Sequence, residues 1–257
     1  MKQPDLSIVI PALSEERRIG LTLDELAKYL KFNSFFKDKT VEVLVVAADT
    51  KDKTHKIILA RQKQFKDLQL FKPGPRVGKG RDVQYGMLRA GGKVVIYMDA
   101  DLATPLHHLE EFYKACSDSN VTGSRSDKGY DIVIGTRNLR TYRSNKFRNI
   151  FSSFGNKLYR IAGGVDVEDT QCGFKMFTSH ATNLCFSKLT ILGWGFDIEL
   201  LAIAKANNLK LKSIRIDDWE DKPYSTYTEK PISIAKRMTV DSITIAINKA
   251  KGRYVDK

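Results

Sequence analysis

The sequence predicts an α/β fold with a Rossmann-like, mostly parallel central sheet flanked by helices. Three observations carry that prediction. Apolar runs near residues 6–10, 41–46 and 93–98 are each followed by a polar turn, and two of those turns lead directly into a segment of helical periodicity. The third run is continuously apolar, as suits an interior strand covered on both faces. No internal repeat and no Pro-, Gly- or Ser-rich linker divides the 257 residues, so residues 1–257 are expected to form a single domain.

In chain order, Leu6-Ser7-Ile8-Val9-Ile10 reads as a buried strand stopped by Pro11. Ser14-Glu15-Glu16 then opens a helix in which Ile19, Leu23, Leu26 and Leu30 recur at helical spacing. A second strand over 41–46 is followed by a turn at 49–53 and a helix from Thr54, and 68–71 forms a short strand. Residues 82–90 read as a helix ended by Gly91-Gly92, before the strand at 93–98. Beyond Leu106 a helix runs to Cys116, 117–129 is a surface loop, and 132–134 is a strand ending at Gly135-Thr136-Arg137. Residues 169–175 read as a turn, and 186–192, 197–206 and 209–216 as further elements packed on the sheet. Pro231 begins a last helix, where its missing N–H costs no internal bond.

Composition bounds the partners. A formal charge of +13, from 43 Lys and Arg against 30 Asp and Glu, favours phosphates or anionic lipid heads. The basic residues are scattered and match no nucleic-acid-binding motif, so no nucleic acid is expected as a partner. Cys116, Cys172 and Cys185 make no CxxC pair, and no HExxH occurs, which suits a reducing compartment without a structural zinc site. No signal peptide is visible, and no apolar run approaches the roughly 20 residues that cross a bilayer. Membrane contact is therefore expected to be peripheral.

Open α/β sheets bind ligands beyond the carboxyl ends of their strands. The informative segments are then 11–16, 47–52 and 99–104. Asp99 and Asp101 stand two apart at a strand end and can face one site. Like charges so placed need a compensating cation, which points to Mg²⁺ or Mn²⁺ with phosphate oxygens completing the shell. The plainer reading is a pair of acids that ends a strand and caps a turn. Arg76-Val77-Gly78-Lys79-Gly80-Arg81 lacks Walker A spacing and is either a solvated turn or a phosphate contact through Lys79.

In the second half, Arg137 and Arg143 suit a phosphorylated acceptor, because the guanidinium fork matches phosphate geometry. Arg140 and Lys146 read as solvated charges. Phe147, Phe151, Phe154, Leu158 and Ile161 form a helical stripe that either packs on the sheet or meets lipid. The last helix poses the same choice, with Ile234, Met238 and Ile245 on one side and Lys236, Arg237 and Lys249 available for headgroups. Asp197 and Glu199 either cap a helix or orient the acceptor. His107 and His108 read as surface residues, His55 and His180 are unassigned, and Cys172 reads as buried packing.

Taken together, Ser7-Ile8-Val9-Ile10-Pro11-Ala12, Gly78-Lys79-Gly80, the segment from Asp99 to Pro105, Ile134-Gly135-Thr136-Arg137, Arg143-Ser144, the segment from Asp169 to Lys175 and Phe196-Asp197-Ile198-Glu199 form a recognisable pattern. The chain resembles family 2 glycosyltransferases of the GT-A fold, and among them the dolichyl-phosphate β-glucosyltransferases, with the mannosyltransferases close by. The resemblance implies inverting transfer of glucose from UDP-glucose to dolichyl or polyprenyl phosphate, with a divalent cation. It would act at the cytosolic face of an internal membrane, the endoplasmic reticulum in a eukaryote.

It further implies donor contacts at Pro11, Ala12, Glu15, Asp49, Lys79 and Asp99, and metal ligation by Asp99 and Asp101. Acceptor contacts fall at Arg137, Arg143, Ser144, Gln171 and Asp197, and the catalytic group is Asp99, Asp101, Arg137 and Arg143. Residues 1–116 would form the donor half, 130–230 the acceptor half and 231–257 an amphipathic helix. Two departures touch the donor side. Ala47-Ala48-Asp49-Thr50 stands where relatives carry two adjacent aspartates that read the base, and Leu13-Ser14 replaces Tyr-Asn. Transfer of mannose or another hexose, and a silent nucleotide-sugar-binding protein, are the competing readings.

Overall fold

The computed structural model describes residues 3–117, 129–137, 164, 167–220 and 231–256. Strands β1 (Leu6–Pro11), β2 (Val41–Val46), β3 (Leu68–Phe71), β4 (Val94–Met98), β5 (Ile132–Arg137), β6 (Phe174–Thr178) and β7 (Leu211–Ile216) form one sheet in the order β3-β2-β1-β4-β6-β5-β7. Helices α1 (Ile19–Phe32), α2 (Thr54–Arg61), α3 (Lys79–Met87), α4 (His108–Ser117), α5 (Ser179–Ser187), α6 (Phe196–Ala206) and α7 (Pro231–Ala250) cover it.

The period-2 alternation of the strands divides the core between the two sheet faces. Leu6, Ile8, Ile10, Val43, Val45, Val94, Ile96 and Met98 pack with α1, α2 and α4. Val9, Leu44, Val46, Val95 and Tyr97 pack with α3, α5, α6 and α7. Each fully covered aliphatic side chain contributes about 1.5–3 kcal/mol, which makes these interior strands the stable frame of the site. One acid sits among them. Glu42 accepts hydrogen bonds from the Ser7 hydroxyl at 2.5 Å and the Gly91 N–H at 2.6 Å, so the carboxylate ties β1 and β2 to the turn before β4.

The expected strands at 6–10, 41–46, 68–71, 93–98 and 132–134 are all present, the last extending to Arg137. Four departures are informative. Helix α1 begins at Ile19, because the Glu15 carbonyl first closes a turn onto the Arg18 and Ile19 N–H groups, with Ser14 at a left-handed φ of 57°. Helix α3 starts at Lys79, three residues ahead of Asp82, and ends at Met87. The region expected to hold an element at 186–192 is instead the end of α5 and an irregular stretch. Finally, Phe174–Thr178 is the strand β6, antiparallel to both β4 and β5, where a turn was expected through Lys175. The sheet is mixed as a result, although β1, β2, β3 and β4 remain parallel, as do β5 and β7.

Lys175 hid that strand. It is the second residue of β6, is fully buried, and donates from Nζ to the Cys172 carbonyl at 2.7 Å and to the Asp197 carboxylate. The Tyr97 hydroxyl donates to the same carboxylate, and burial followed by the Asp197 charge keeps that phenol firmly protonated. Asp197 does not cap α6, whose first turn it occupies behind Gly195; its Oδ1 is taken up beneath the site by Lys175 and Tyr97. Glu199, equally buried, accepts from the Thr190 and Ile191 N–H groups and the Tyr254 hydroxyl, which fastens the chain's end to α6.

Removing one partner of a buried ion pair strands the other charge, at about 3–5 kcal/mol, whereas an apolar replacement of both can be neutral. Asp197→Leu alone is therefore expected to lose stability of that order in urea unfolding, and Lys175→Met combined with Asp197→Leu to recover most of it. Equal loss in the single and double variants would contradict the assignment.

Candidate active site

The parallel strands β1, β2 and β4 release their loops at one edge of the sheet, and β6 enters at that same edge because it runs the other way. Asp99 immediately follows β4, and its N–H donates to the Gly173 carbonyl at 3.1 Å, just before β6 begins. The Thr22 hydroxyl of α1 donates to the Ala100 carbonyl at 2.7 Å and holds the next residue down. Leu102 takes a left-handed φ of 54°, and the Ala103 N–H reaches back to Asp101 Oδ1 at 3.0 Å. The turn thereby fixes Asp101 beside Asp99.

Two basic side chains compensate these acids. Lys79 Nζ stands 2.6 Å from Asp99 Oδ1, beneath the Trp194 ring at 5.3 Å. Arg18 bridges Glu15, at 2.6 Å, and Asp101, at 3.4 Å, and so joins the loop after β1 to the loop after β4. Burial pulls the Lys79 ammonium down, but the charges of Asp99, Asp197 and Asp101 outweigh it and hold the group above its ordinary value. Asp101 shifts upward, first through burial and then through the charge of Asp99. Glu15 also shifts upward, through burial that its contact with Arg18 only partly offsets.

Burial and the charge of Asp99 both work against ionisation of Asp101, and a cation between the two acids would relieve both effects. Asp99 and Asp101 would hold a divalent cation there, and hard carboxylate oxygens suit Mg²⁺ or Mn²⁺. Asp99 is 38% exposed at its side chain, which leaves it open to the cleft. Gly173 leaves it room. A Cβ at that position would come within 1.9 Å of Asp99 Oδ2, so the absent side chain decides where the carboxylate can lie.

On the side of β1 and β2, Pro11 ends β1 opposite Val46, and the Ala12 N–H donates to the Val46 carbonyl at 2.9 Å. The Glu15 N–H donates to Thr54 Oγ1 at 2.8 Å, and the Glu16 N–H to Asp52 Oδ2 at 3.3 Å, so the two loops are stitched together. Asp49 is exposed on the second loop, while Ala47 and Ala48 are buried. His55 Nε2 lies 3.2 Å from the carbonyls of both alanines and can donate to them. Arg81 donates to the carbonyls of Pro73 and Pro75 at 2.8 and 2.7 Å, which shapes the turn leading into α3.

On the other side of Asp99, Arg137 ends β5. Its Nε and Nη2 donate to the two Asp169 oxygens at 2.6 and 2.9 Å, and its guanidinium lies 5.3 Å from the Trp219 ring. Burial acts against the Arg137 charge, but Asp169 holds it firmly protonated. Asp169 in turn stays below the usual carboxylate range, because Arg137 overcomes the cost of burial. Gln171 is half-buried, with its N–H donating to Asp169 at 3.1 Å. Arg140, Arg143, Ser144, Lys146 and the stripe from Phe147 to Ile161 lie outside the described residues.

Asp99, Asp101, Lys79 and Glu15 are thus brought together at one edge, and Asp197 lies beneath them. Arg18, Asp169, Trp194 and Trp219 are additional members that sequence reasoning did not select. Only Arg18 carried a local signal, its spacing of three from Glu15.

The family model described as Glycosyl transferase family 2 matches residues 7–178. A dolichyl-phosphate beta-glucosyltransferase of Trichomonas vaginalis is 33% identical over 245 residues, covering 94% of this chain and 73% of the relative. One from Homo sapiens is 30% identical over 223 residues, covering 82% and 66%. Among solved structures, the glucosyl-3-phosphoglycerate synthase of Mycobacterium tuberculosis, in complex with Mn²⁺, UDP-glucose and phosphoglyceric acid, superposes with a TM-score of 0.62. It is 19% identical and is matched over 98% of this chain and 80% of its own.

The contact at Gly173 yields a direct test. Gly173→Ala forces only the mobile end of Asp99 to give way, so stability should change by about 1 kcal/mol or less. The displaced carboxylate should weaken Mn²⁺ binding at least about tenfold, a loss of about 1.4 kcal/mol read by calorimetry. Unchanged Mn²⁺ affinity would show that Gly173 does not set the Asp99 position.

Proposed function

The chain belongs to glycosyl transferase family 2, and on that premise we propose that it transfers glucose, with inversion, from UDP-glucose to dolichyl or polyprenyl phosphate at a membrane surface. Its α/β fold is of the GT-A type. One observation carries the reading: the paired carboxylates of Asp99 and Asp101 at the end of β4, compensated by Lys79 and Arg18. The names of the relatives, which match most of the chain, support the donor and the acceptor.

The chemistry asks little of a general base. A phosphate monoester has a second pKa near 6, so the acceptor is substantially dianionic at neutral pH and can attack unaided. The protein must hold that oxygen opposite the leaving diphosphate, so that one in-line displacement inverts the anomeric carbon. Mg²⁺ or Mn²⁺ at Asp99 and Asp101 would supply charge neutralisation at the diphosphate. Lys79 adds positive charge on the donor side, and Glu15 positions Arg18 against Asp101. Arg137, oriented by Asp169, offsets repulsion between the two anionic substrates. Arg143, Ser144 and Gln171 are assigned to the same acceptor phosphate, and Pro11, Ala12 and Asp49 to the nucleotide.

The membrane assignment has a surface to support it. Ile245 packs into the core, so the outward side of α7 is the one bearing Val240, Ile243 and Ile247, all exposed, with Lys236 and Lys249 exposed on the same helix. No helix among the described residues is long and apolar enough to cross a membrane. A donor other than UDP-glucose is the second reading. It is favoured by the buried Ala47-Ala48 pair, whose carbonyls face His55 and which offers no carboxylate to a base.

A panel of UDP- and GDP-hexoses, with Mn²⁺ and a short polyprenyl phosphate in anionic vesicles, separates these readings. UDP-glucose is expected to lead, and neutral vesicles to give slower transfer. Asp101→Asn should lower turnover at least about 100-fold, consistent with losing about 3 kcal/mol of transition-state stabilisation. Its effect on stability has the opposite sign. A folded pKa raised above the unfolded one makes the ionised carboxylate a liability once pH exceeds the ordinary value of 3.8, so the variant should melt no lower than wild type at pH 7. Turnover and melting temperature falling together would contradict the role given to Asp101, and preference for a GDP-sugar would overturn the donor.

A further inference from the structure

Three titratable side chains outside the reaction machinery converge on one point. His107 and His108 follow the 99–105 loop at the start of α4, and Asp218 lies two residues beyond β7. His107 Nε2 stands 3.2 Å from Asp218 Oδ2, and His108 Nε2 stands 2.7 Å from Asp218 Oδ1. The two imidazole rings are 4.3 Å apart, so both Nε2 atoms address a single carboxylate. One ligand atom from each residue lies within 4.8 Å of the others.

We propose that His107, His108 and Asp218 form a Zn²⁺ site, separate from the cation site at Asp99 and Asp101. Zinc binds imidazole nitrogen at about 2.0–2.1 Å and carboxylate oxygen at about 2.0–2.2 Å, so neighbouring ligands on a tetrahedral ion stand roughly 3.3 Å apart. His107 Nε2 lies 3.2 Å from Asp218 Oδ2 and His108 Nε2 2.7 Å from Oδ1, so closing on one ion asks the carboxylate to turn one oxygen towards both rings and the rings to give up their present contacts. Two imidazoles and one carboxylate select zinc over Mg²⁺, whose preferred ligands are all oxygen. Three protein ligands leave a fourth position for water.

The surroundings fit the same reading. Glu111 Oε2 stands 4.0 Å from His108 Nδ1, close enough that a small side-chain movement would let it accept from that nitrogen once Nε2 ligates an ion. His107 is 62% exposed and Asp218 48%, so an ion can enter from solvent.

The site also joins two segments that matter to the cleft. The histidines continue directly from the loop carrying Asp99 and Asp101. Asp218 precedes Trp219, which stacks near Arg137, and Glu220, whose N–H donates to the Ala103 carbonyl at 3.0 Å. A bound ion would clamp the segment after β7 onto the 99–105 loop.

Competition between a chromophoric chelator and the full chain for Zn²⁺ tests this, with Co²⁺ as a spectroscopic substitute. The chain should take up one equivalent of Zn²⁺, and Co²⁺ should give the visible absorption of a tetrahedral ion. His107→Ala combined with His108→Ala, or Asp218→Ala, should abolish both, while Glu111→Gln should weaken affinity about tenfold. Asp99→Asn combined with Asp101→Asn should retain the zinc, which separates this site from the reaction reading. Circular dichroism identical to wild type keeps the surface variants interpretable. Zinc bound no more tightly by wild type than by the double histidine variant, or lost only from the double aspartate variant, overturns the proposal.

Discussion

Two carboxylates held at the end of one strand cannot stay ionised without nearby positive charge, and most of the site's architecture follows from that constraint. Lys79 comes from the first turn of α3, Arg18 from the turn before α1, and both converge on the Asp99–Asp101 loop. Burial, and then the charge of Asp99, still raise Asp101 in their presence. A divalent ion would offset both, and a diphosphate brought with it would arrive at the amino end of α3, where a helix favours anions.

The constraint is met by a frame that is itself electrostatic underneath. The antiparallel β6 brings Gly173 against Asp99, and its buried Lys175 is neutralised by Asp197 from α6. The charge of Asp197 reaches Lys79 as well, so the ion pair below and the cation at the surface are coupled. On the opposite flank, Asp169 holds Arg137 in a bidentate pair, which orients the guanidinium while leaving it charged. Lys79 and Arg137 are thus each positioned by an acid beneath or beside them.

Apolar periodicity made the parallel half of the fold legible in the sequence, because interior strands announce themselves as continuous Val and Ile runs. It failed at β6, where the second residue of Phe174–Thr178, a lysine, breaks that pattern and only a partner 22 residues away explains it. Asp197 does lie at a helix start, as its sequence context suggests, but its bond to Lys175 could not be read from that context. Asp99, Asp101, Lys79 and Glu15 were readable because ligand-binding residues in such sheets follow strand ends. Arg18 and Asp169 were not, since their roles arise from tertiary pairing. His107 and His108 read as surface residues with no metal partner, because Asp218, which the fold brings to them, lies 110 residues from His108 along the chain.

The account rests on a nucleotide sugar being held through an ion between Asp99 and Asp101. Calorimetric titration of the intact chain with UDP-glucose measures this directly, in Mn²⁺, in excess chelator, and with Asp99→Asn and Asp101→Asn combined. Binding that needs Mn²⁺ and vanishes in the folded double variant is the predicted result. Equal affinity with and without the ion, or in the variant, would contradict it.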